Sequence, residues 1–386
     1  MDMTNAFDLV KHSILFKKVW KKGLSVIFIR LLMFIYMMQY ANVKWNGEVS
    51  SWFMLSNGVR QGGVISAILY CFYVNDLFTL LRTRGEGCWV QGYYCGIYGY
   101  SDDNFLLAPS LHALQCMLDT CEEYAEKQTL GFSTDPDPIK CKTKCLALIS
   151  KKRELQNMML CGHPLPWVDH CKHLGNYLEN KIDGLKHDLR IKQASYIDKN
   201  NELEQEFYFC HPQTKFKVNK IYNSHFTGSP LWNLFSPEAV KMEGTWNRSV
   251  KVMYDLPYAT HRWLIEPVSD STHVRRVLVH RFLNFLKQIR KSSKFVTSML
   301  LRTIQNNVRS VTGYNLRRIM LETGNTNVEQ LNDVGIENIE YHPVSDEDKW
   351  KILVIKECID VKFGILNIDG FSSEEIEEIS SHLCIS

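Results

Sequence analysis

The sequence predicts an α+β protein with its strands in the first part and helices in the remainder. Up to about Asn180, short alternating stretches are punctuated by turn signals at Asn46-Gly47, Ser101-Asp102-Asp103 and Asp135-Pro136-Asp137-Pro138. Between them run apolar patterns at helical spacing. From about Asp183 the strand signals stop and helical patterns dominate to the C-terminus. The expected organisation is a mixed region over 1–180, a helical region over 181–322 and an acidic helical tail over 323–386, with the softer boundary at Thr323-Gly324-Asn325.

Taken in order, Lys11 to Tyr40 reads as helix broken at Gly23, and Val43 to Leu55 as a hairpin turning at Asn46-Gly47. Asn57 to Gly63 is a glycine-bearing loop, and Val64 to Leu81 is apolar and long enough for a helix. Val90 to Leu107 reads as two short strands flanking the turn Tyr100-Ser101-Asp102-Asp103. Ser110 to Lys127 is an amphipathic helix with Leu111, Leu114, Met117 and Leu118 on one face. A strand is expected over Leu146–Ser150 and a hairpin over Leu155–Leu165.

Composition excludes disorder for most of the chain: 45% of residues are hydrophobic and 23% charged. The net charge of +3 says little, but its distribution is uneven. Basic residues gather between Arg275 and Arg318, and the tail is acidic through Asp346, Glu347, Asp348, Glu374, Glu375, Glu377 and Glu378. Such asymmetry points toward a polyanion partner. The twelve cysteines follow no disulfide framework, so reduced thiols are expected. Leu24 to Tyr40 is apolar but short for a bilayer and carries Arg30 near its middle. A buried amphipathic helix is the expectation there, and no membrane partner. Cys161, His163, His170, Cys171 and His173 lie close together, but their spacing fits no common zinc pattern and Pro164 and Pro166 interrupt it.

The chemistry centres on Asp102-Asp103. Adjacent acids on a tight turn repel one another, and a divalent cation removes that cost; magnesium takes one or two carboxylates together with substrate phosphates. A solvated turn is the ordinary reading of Asp-Asp on its own. The context adds Asp2, just before an amphipathic helix, and the loop Asn57 to Ser66 between the two acidic segments. Its glycines permit close backbone approach to a ligand, Gln61 can donate and accept, and Arg60 can contact a phosphate.

In this order the segments resemble motifs A, B and C of reverse transcriptases. Val59-Arg60-Gln61-Gly62-Gly63-Val64-Ile65-Ser66 is similar to motif B of the non-LTR retrotransposon branch, and Tyr100 to Ala108 resembles its motif C, with Ser101 where alanine is more usual. Phe132 to Lys142 looks like motif D, His173-Leu174-Gly175 like the primer grip, and Asn201 to Glu266 like the thumb-side region. The resemblance implies a palm of a small antiparallel sheet backed by helices, followed by a helical thumb. It implies two magnesium ions held mainly by Asp2 and Asp102 with Asp103 in support, and dNTPs added to a DNA primer on an RNA template. By the same resemblance Phe7 lies under the sugar and excludes a 2′-hydroxyl. Gln61 and Gly62 line the nucleotide and template pocket, and Leu174 and Gly175 belong to the primer grip. Either Lys140 or Lys142 donates a proton to pyrophosphate. The stretch Arg275 to Arg302, interleaved with Phe282, Phe285 and Phe295, is either the thumb's grip on a duplex or the solvent face of an amphipathic helix. A retroelement polymerase meets both RNA and chromosomal DNA, so nucleus and cytoplasm both fit.

Two departures set further expectations. Asn5 stands where many relatives carry lysine, and only Met1 precedes Asp2. The palm strand and the fingers are therefore expected to be cut away, with Asp2 on a raw edge and poorly ordered. The expectation is a polymerase domain impaired as this fragment, or else a non-catalytic nucleic-acid-binding remnant.

Overall fold

The computed structural model describes residues 1–148, 155–181, 185–223, 226–270, 272–324 and 345–362. The chain divides into two compact units, Met1–Leu174 and Gly175–Ser386. The end of the strand expected over Leu146–Ser150, and the tail acids Glu374, Glu375, Glu377 and Glu378, lie outside the described residues.

The first unit begins with β1 (Met3–Thr4) and the helices α1 (His12–Lys21) and α2 (Val26–Met37). Gly23 separates the helices with φ 84, a left-handed backbone that glycine adopts without steric cost. Ser25 then caps α2, its hydroxyl accepting from Phe28 N at 3.3 Å. The apolar segment is therefore a helix of 12 residues, and no helix among the described residues is long and apolar enough to cross a membrane. It is less buried than the sequence suggests. Ile29, Leu32 and Tyr36 form the stripe facing the core, whereas Ile27 is 83% and Phe34 65% exposed.

Strands β2 (Tyr40–Ala41) and β5 (Phe53–Met54) pair around the hairpin of β3 (Lys44–Trp45) and β4 (Glu48–Val49). Asn46 and Gly47 both take positive φ at its tip, the type I′ geometry that an Asn-Gly pair favours. Helix α3 (Ser66–Arg84) follows and ends on Gly85 in the left-handed region. Next come a hairpin of β6 (Trp89–Val90) and β7 (Tyr93–Tyr94), turning at Gln91-Gly92, and a second of β8 (Ile97–Tyr100) and β9 (Asp103–Leu106). Helix α4 (Leu111–Gln128) is capped by Ser110, which accepts from Ala113 N at 3.2 Å. The unit closes with β10 (Gly131–Phe132), β11 (Cys145–Leu146), β12 (Met158–Leu160), β13 (His163–Leu165), β14 (Trp167–Val168) and β15 (His170–His173). The expected hairpin over Leu155–Leu165 is the antiparallel pair β12–β13. Leu15, Val19, Leu69, Tyr70, Tyr73, Leu77, Met117 and Leu118 bring α1, α3 and α4 into one core. Burying a leucine of this kind contributes about 1.5–3 kcal/mol.

The second unit opens with β16 (Asn176–Glu179) and continues as helices: α5 (Lys186–Glu206), α6 (Pro212–Tyr222), α7 (Pro237–Met253), α8 (Arg262–Ser269), α9 (Val274–Lys291), α10 (Phe295–Asn306), α11 (Val311–Thr323) and α12 (Asp346–Lys362). Trp232, Tyr196, Trp246 and Phe282 fill its centre, with Tyr196 stacked on Trp246 at 5.7 Å. Ile352, Ile355 and Ile359 of α12 join the same core. Asp188 is completely buried yet fully used: it accepts from Tyr177 N at 2.9 Å, Trp232 Nε1 at 2.8 Å and Lys192 Nζ at 3.0 Å.

Candidate active site

The acidic turn sits at the tip of β8–β9, where Tyr100 pairs with Asp103 and Gly99 with Asn104. Ser101 takes φ 58, a left-handed conformation that costs a non-glycine residue roughly 1–2 kcal/mol. Gly99 is closely packed: an added Cβ would meet the ring of Phe78, which would have to shift. Behind the turn Asn104 is buried and donates to the Asp102 carbonyl at 3.2 Å.

The N-terminal segment is hydrogen-bonded on both flanks, where a raw edge is expected from sequence. On one side Met1 and Asn104 exchange backbone hydrogen bonds, Met1 N to Asn104 O at 2.6 Å and Asn104 N to Met1 O at 3.0 Å. On the other side Met3 pairs with Phe132 and Thr4 with Gly131, while Ser133 N donates to Asp2 O at 2.8 Å. Asp2 N in turn donates to Thr143 Oγ1 at 3.3 Å. β9 and β10 together satisfy the segment's backbone. The reciprocal Met1–Asn104 pair is the narrow pair of an antiparallel ladder, which sets Asp2 opposite Asp103 on one face.

Tyr70 of α3 lies beneath this ladder. Its hydroxyl donates to Met3 Sδ at 2.6 Å. Burial pushes its phenol well above the ordinary tyrosine range; the charge of Asp102 adds to this, and that of Asp2 contributes less. Phe7 stacks on Tyr70 with ring centroids 5.2 Å apart. It is carried by a turn at Asn5, whose φ of 45 suits asparagine and whose carbonyl accepts from Asp8 N and Leu9 N. The glycine-bearing loop docks on this turn: Val59 N donates to Phe7 O and Gly58 N to Val10 O, each at 2.8 Å. Gln61 Nε2 reaches Asp8 Oδ1 at 3.5 Å, and Arg60 and Gly62 are exposed.

The two candidate lysines differ. Lys142 Nζ stands 3.8 Å from Asp2 Oδ2, with its side chain 73% exposed. Lys140 is exposed in the turn built on Asp137, whose carbonyl accepts its N–H at 3.1 Å. Leu174 and Gly175 both take positive φ, at the division between the units. His173, just before them, packs its ring on Phe105 of β9 at 5.5 Å. In the first unit the structure therefore gathers Asp2, Phe7, Gln61, Asp102, Asp103 and Lys142 around β1, β9 and the loop, and it adds Tyr70, Asn104 and Thr143, which sequence reading missed. Tyr70 had one local signal, a polar-ended aromatic inside an apolar helix.

Among the described residues, no group of three or more His, Cys, Asp or Glu side chains gathers tightly enough to hold a metal ion. The donor chemistry nonetheless fits magnesium, which takes hard oxygens and completes its shell with substrate phosphates and water. Asp2 and Asp103 on facing strands and Asp102 in the adjoining turn offer such oxygens.

In the second unit, the basic stretch is partly spent internally. Arg275 faces Glu322 at 3.4 Å and Glu243 at 3.8 Å, Arg276 pairs with Glu266, and Arg281 lies over the Phe226 ring. Phe282 is wholly buried, a core residue and no stacking platform.

Residues 1–177 match the family described as reverse transcriptase (RNA-dependent DNA polymerase). This stretch is a reverse transcriptase domain. Over 156 residues the chain is 24% identical to the Retrovirus-related Pol polyprotein from type-1 retrotransposable element R2 of Nasonia vitripennis. The alignment covers 40% of this chain and 15% of that protein, so the chain corresponds to a minor part of its relative.

Proposed function

We propose that this chain carries an RNA-directed DNA polymerase site that extends a DNA primer on an RNA template with dNTPs. The observation that supports it most is the ladder that sets Asp2 across from Asp103, next to Asp102 in the turn. Asp2 and Asp102 would hold two magnesium ions, with Asp103 in support. When bound, these ions lower the pKa of the primer 3′-hydroxyl and neutralise charge on the triphosphate. Phe7, backed by Tyr70, presents a ring that crowds a 2′-hydroxyl. Gln61 and Gly62 line the nucleotide and template pocket, Arg60 meets a phosphate, and Leu174 and Gly175 hold the primer. Lys142, next to Asp2, is the better placed of the two lysines to give a proton to pyrophosphate. In this reading 1–180 is the palm, 181–322 the thumb and 323–386 an acidic tail.

The test is primer extension by the purified chain on an RNA template with magnesium, beside Asp102→Asn. Extension that the substitution abolishes supports the reading. Extension that persists in Asp102→Asn sinks it.

A second reading rests on one observation: the Asp2 carboxylate already faces a cation, Lys142. A non-catalytic nucleic-acid-binding remnant would keep that ion pair permanently. It predicts no extension from either protein, with salt-dependent RNA binding that survives Asp102→Asn.

A further inference from the structure

Two cysteines face each other just past the β6–β7 ladder. The register pairs Val90 with Tyr93 and Trp89 with Tyr94. One step further it sets Cys88 opposite Cys95, and Cys95 N donates to the Cys88 carbonyl at 2.8 Å. Directly opposed residues on antiparallel strands lie roughly 4.5–5.5 Å apart at Cα, inside the span a disulfide bridges. Their side chains leave the ladder on the same face.

The surroundings keep the two strands close at this point. The next pair outward is Gly87 and Gly96. Gly87 takes φ 112, and a Cβ there would come within 3.0 Å of the Gly96 Cα. These glycines let the backbones approach beside the cysteines. Tyr98 of β8 lies near both sulfurs: its phenol is pushed up to about 12, first by burial, then by the Cys95 thiol and least by Cys88. The thiols differ in access. Cys95 is buried at 6% exposure, whereas Cys88 is half-buried. The pair is also tied to the acidic hairpin. Cys88 N donates to the Leu107 carbonyl at 2.9 Å, and Leu107 N donates to the Gly96 carbonyl at 2.7 Å. Leu107 directly follows β9, so the cysteines sit at the base of the hairpin whose tip carries Asp102 and Asp103.

We propose that Cys88 and Cys95 form a reversible dithiol–disulfide site whose co-reactant is a low-molecular-weight disulfide of the oxidised-glutathione class. The dithiol is the resting form. Cys88, the accessible thiol, loses its proton to solvent and attacks one sulfur of the small disulfide. That S–S bond breaks, and one thiolate leaves and is protonated. Cys95 then gives up its proton and attacks the Cys88 sulfur, releasing the second small thiol. The two protein thiols lose two electrons, and the small disulfide gains them as two thiols. Burial, and then Cys95, hold the Cys88 thiol above its ordinary range, so exchange runs slowly through a small thiolate fraction. The bond closes a clasp at the base of the acidic hairpin. The site stands on the register of β6–β7 and does not depend on the polymerase reading.

The test exposes the full folded chain to excess oxidised glutathione until Cys71, an exposed thiol, is modified. Remaining thiols are alkylated, and the chain is cut with chymotrypsin without reduction. Cleavage after Trp89 and Tyr94 separates the two cysteines unless they are bonded. The parent should yield the Cys88 and Cys95 peptides joined, and dithiothreitol should part them. Cys95→Ser should stop at a mixed disulfide on Cys88, whereas Cys88→Ser should leave Cys95 free for alkylation once unfolded. Hydrogen exchange at the Cys95 and Leu107 amides should slow on oxidation of the parent and not of either variant. Asp102→Asn should form the bond like the parent, so failed primer extension with the bond intact would sink only the polymerase reading. The proposal is overturned if Cys88 and Cys95 of the folded parent both remain alkylatable when Cys71 is modified. A bond that forms only in urea, or one joining either cysteine to Cys121, would overturn it too. These outcomes are read on the parent chain, so they decide the matter even if a serine variant fails to fold.

Discussion

The two units treat their carboxylates in opposite ways. In the helical unit Asp188 is wholly buried, and a backbone N–H, an indole N–H and an ammonium are all directed at it. In the first unit Asp2, Asp102 and Asp103 sit half-exposed at the end of a ladder. Among the described residues, Asp2's carboxylate meets only an exposed lysine, Lys142, at 3.8 Å. One arrangement spends a charge on holding helices together. The other leaves charge available and strains the backbone to present it, as at Ser101. Burial and saturation describe Asp188; half-exposure and few partners describe the acids at the end of the ladder.

Substitutions can break that comparison. The largest effect expected is on chemistry: Asp102→Asn should cut primer extension by at least about a thousandfold while leaving the urea midpoint near the parent's. A large stability loss in that variant would mean that the turn carboxylate is structural after all. Asp188→Ala should do the reverse, costing about 3–5 kcal/mol because the buried Trp232 Nε1 and Tyr177 N lose their acceptor and Lys192 its counter-charge. Chemical denaturation reads it, and a loss under 1 kcal/mol would deny the hub role. Gly99→Ala should cost about 1–3 kcal/mol by forcing Phe78 aside under the acidic turn. The smallest change sharpens the strain argument. Ser101→Gly relieves the left-handed backbone and should stabilise the chain by about 1 kcal/mol; a destabilised variant would show that the serine side chain is needed there.

Local pattern carried much of this organisation, and the reasons it stopped are physical. Helices α3 and α4 follow from their apolar runs, and α4 also from its Ser110 cap. The β3–β4 hairpin follows from Asn46-Gly47, because few other pairs accept positive φ twice. The β6–β7 hairpin was missed because Gln91 is not a turn-forming residue, although Gly92 marks the position. Strand order was illegible. That Met1 meets Asn104 and Met3 meets Phe132 depends on segments more than a hundred residues apart, and no short window contains that register. The acids of the candidate site could be read from Asp102-Asp103 and Asp2, yet Tyr70 and Thr143 enter only through packing. In the basic stretch the sequence left two readings open, and the Arg275 and Arg276 ion pairs assign part of it to internal cohesion.

Helix α2 has a practical consequence. One stripe of Ile29, Leu32 and Tyr36 is anchored, while Ile27, Phe34 and Met37 face water along with Trp45 and Trp52 nearby in sequence. Oily surface on this scale makes a protein sticky at the bench. Preparations of this chain should scatter light increasingly as they are concentrated, light up a hydrophobic dye while fully folded, and stay clear when Ile27 and Phe34 are exchanged for glutamate.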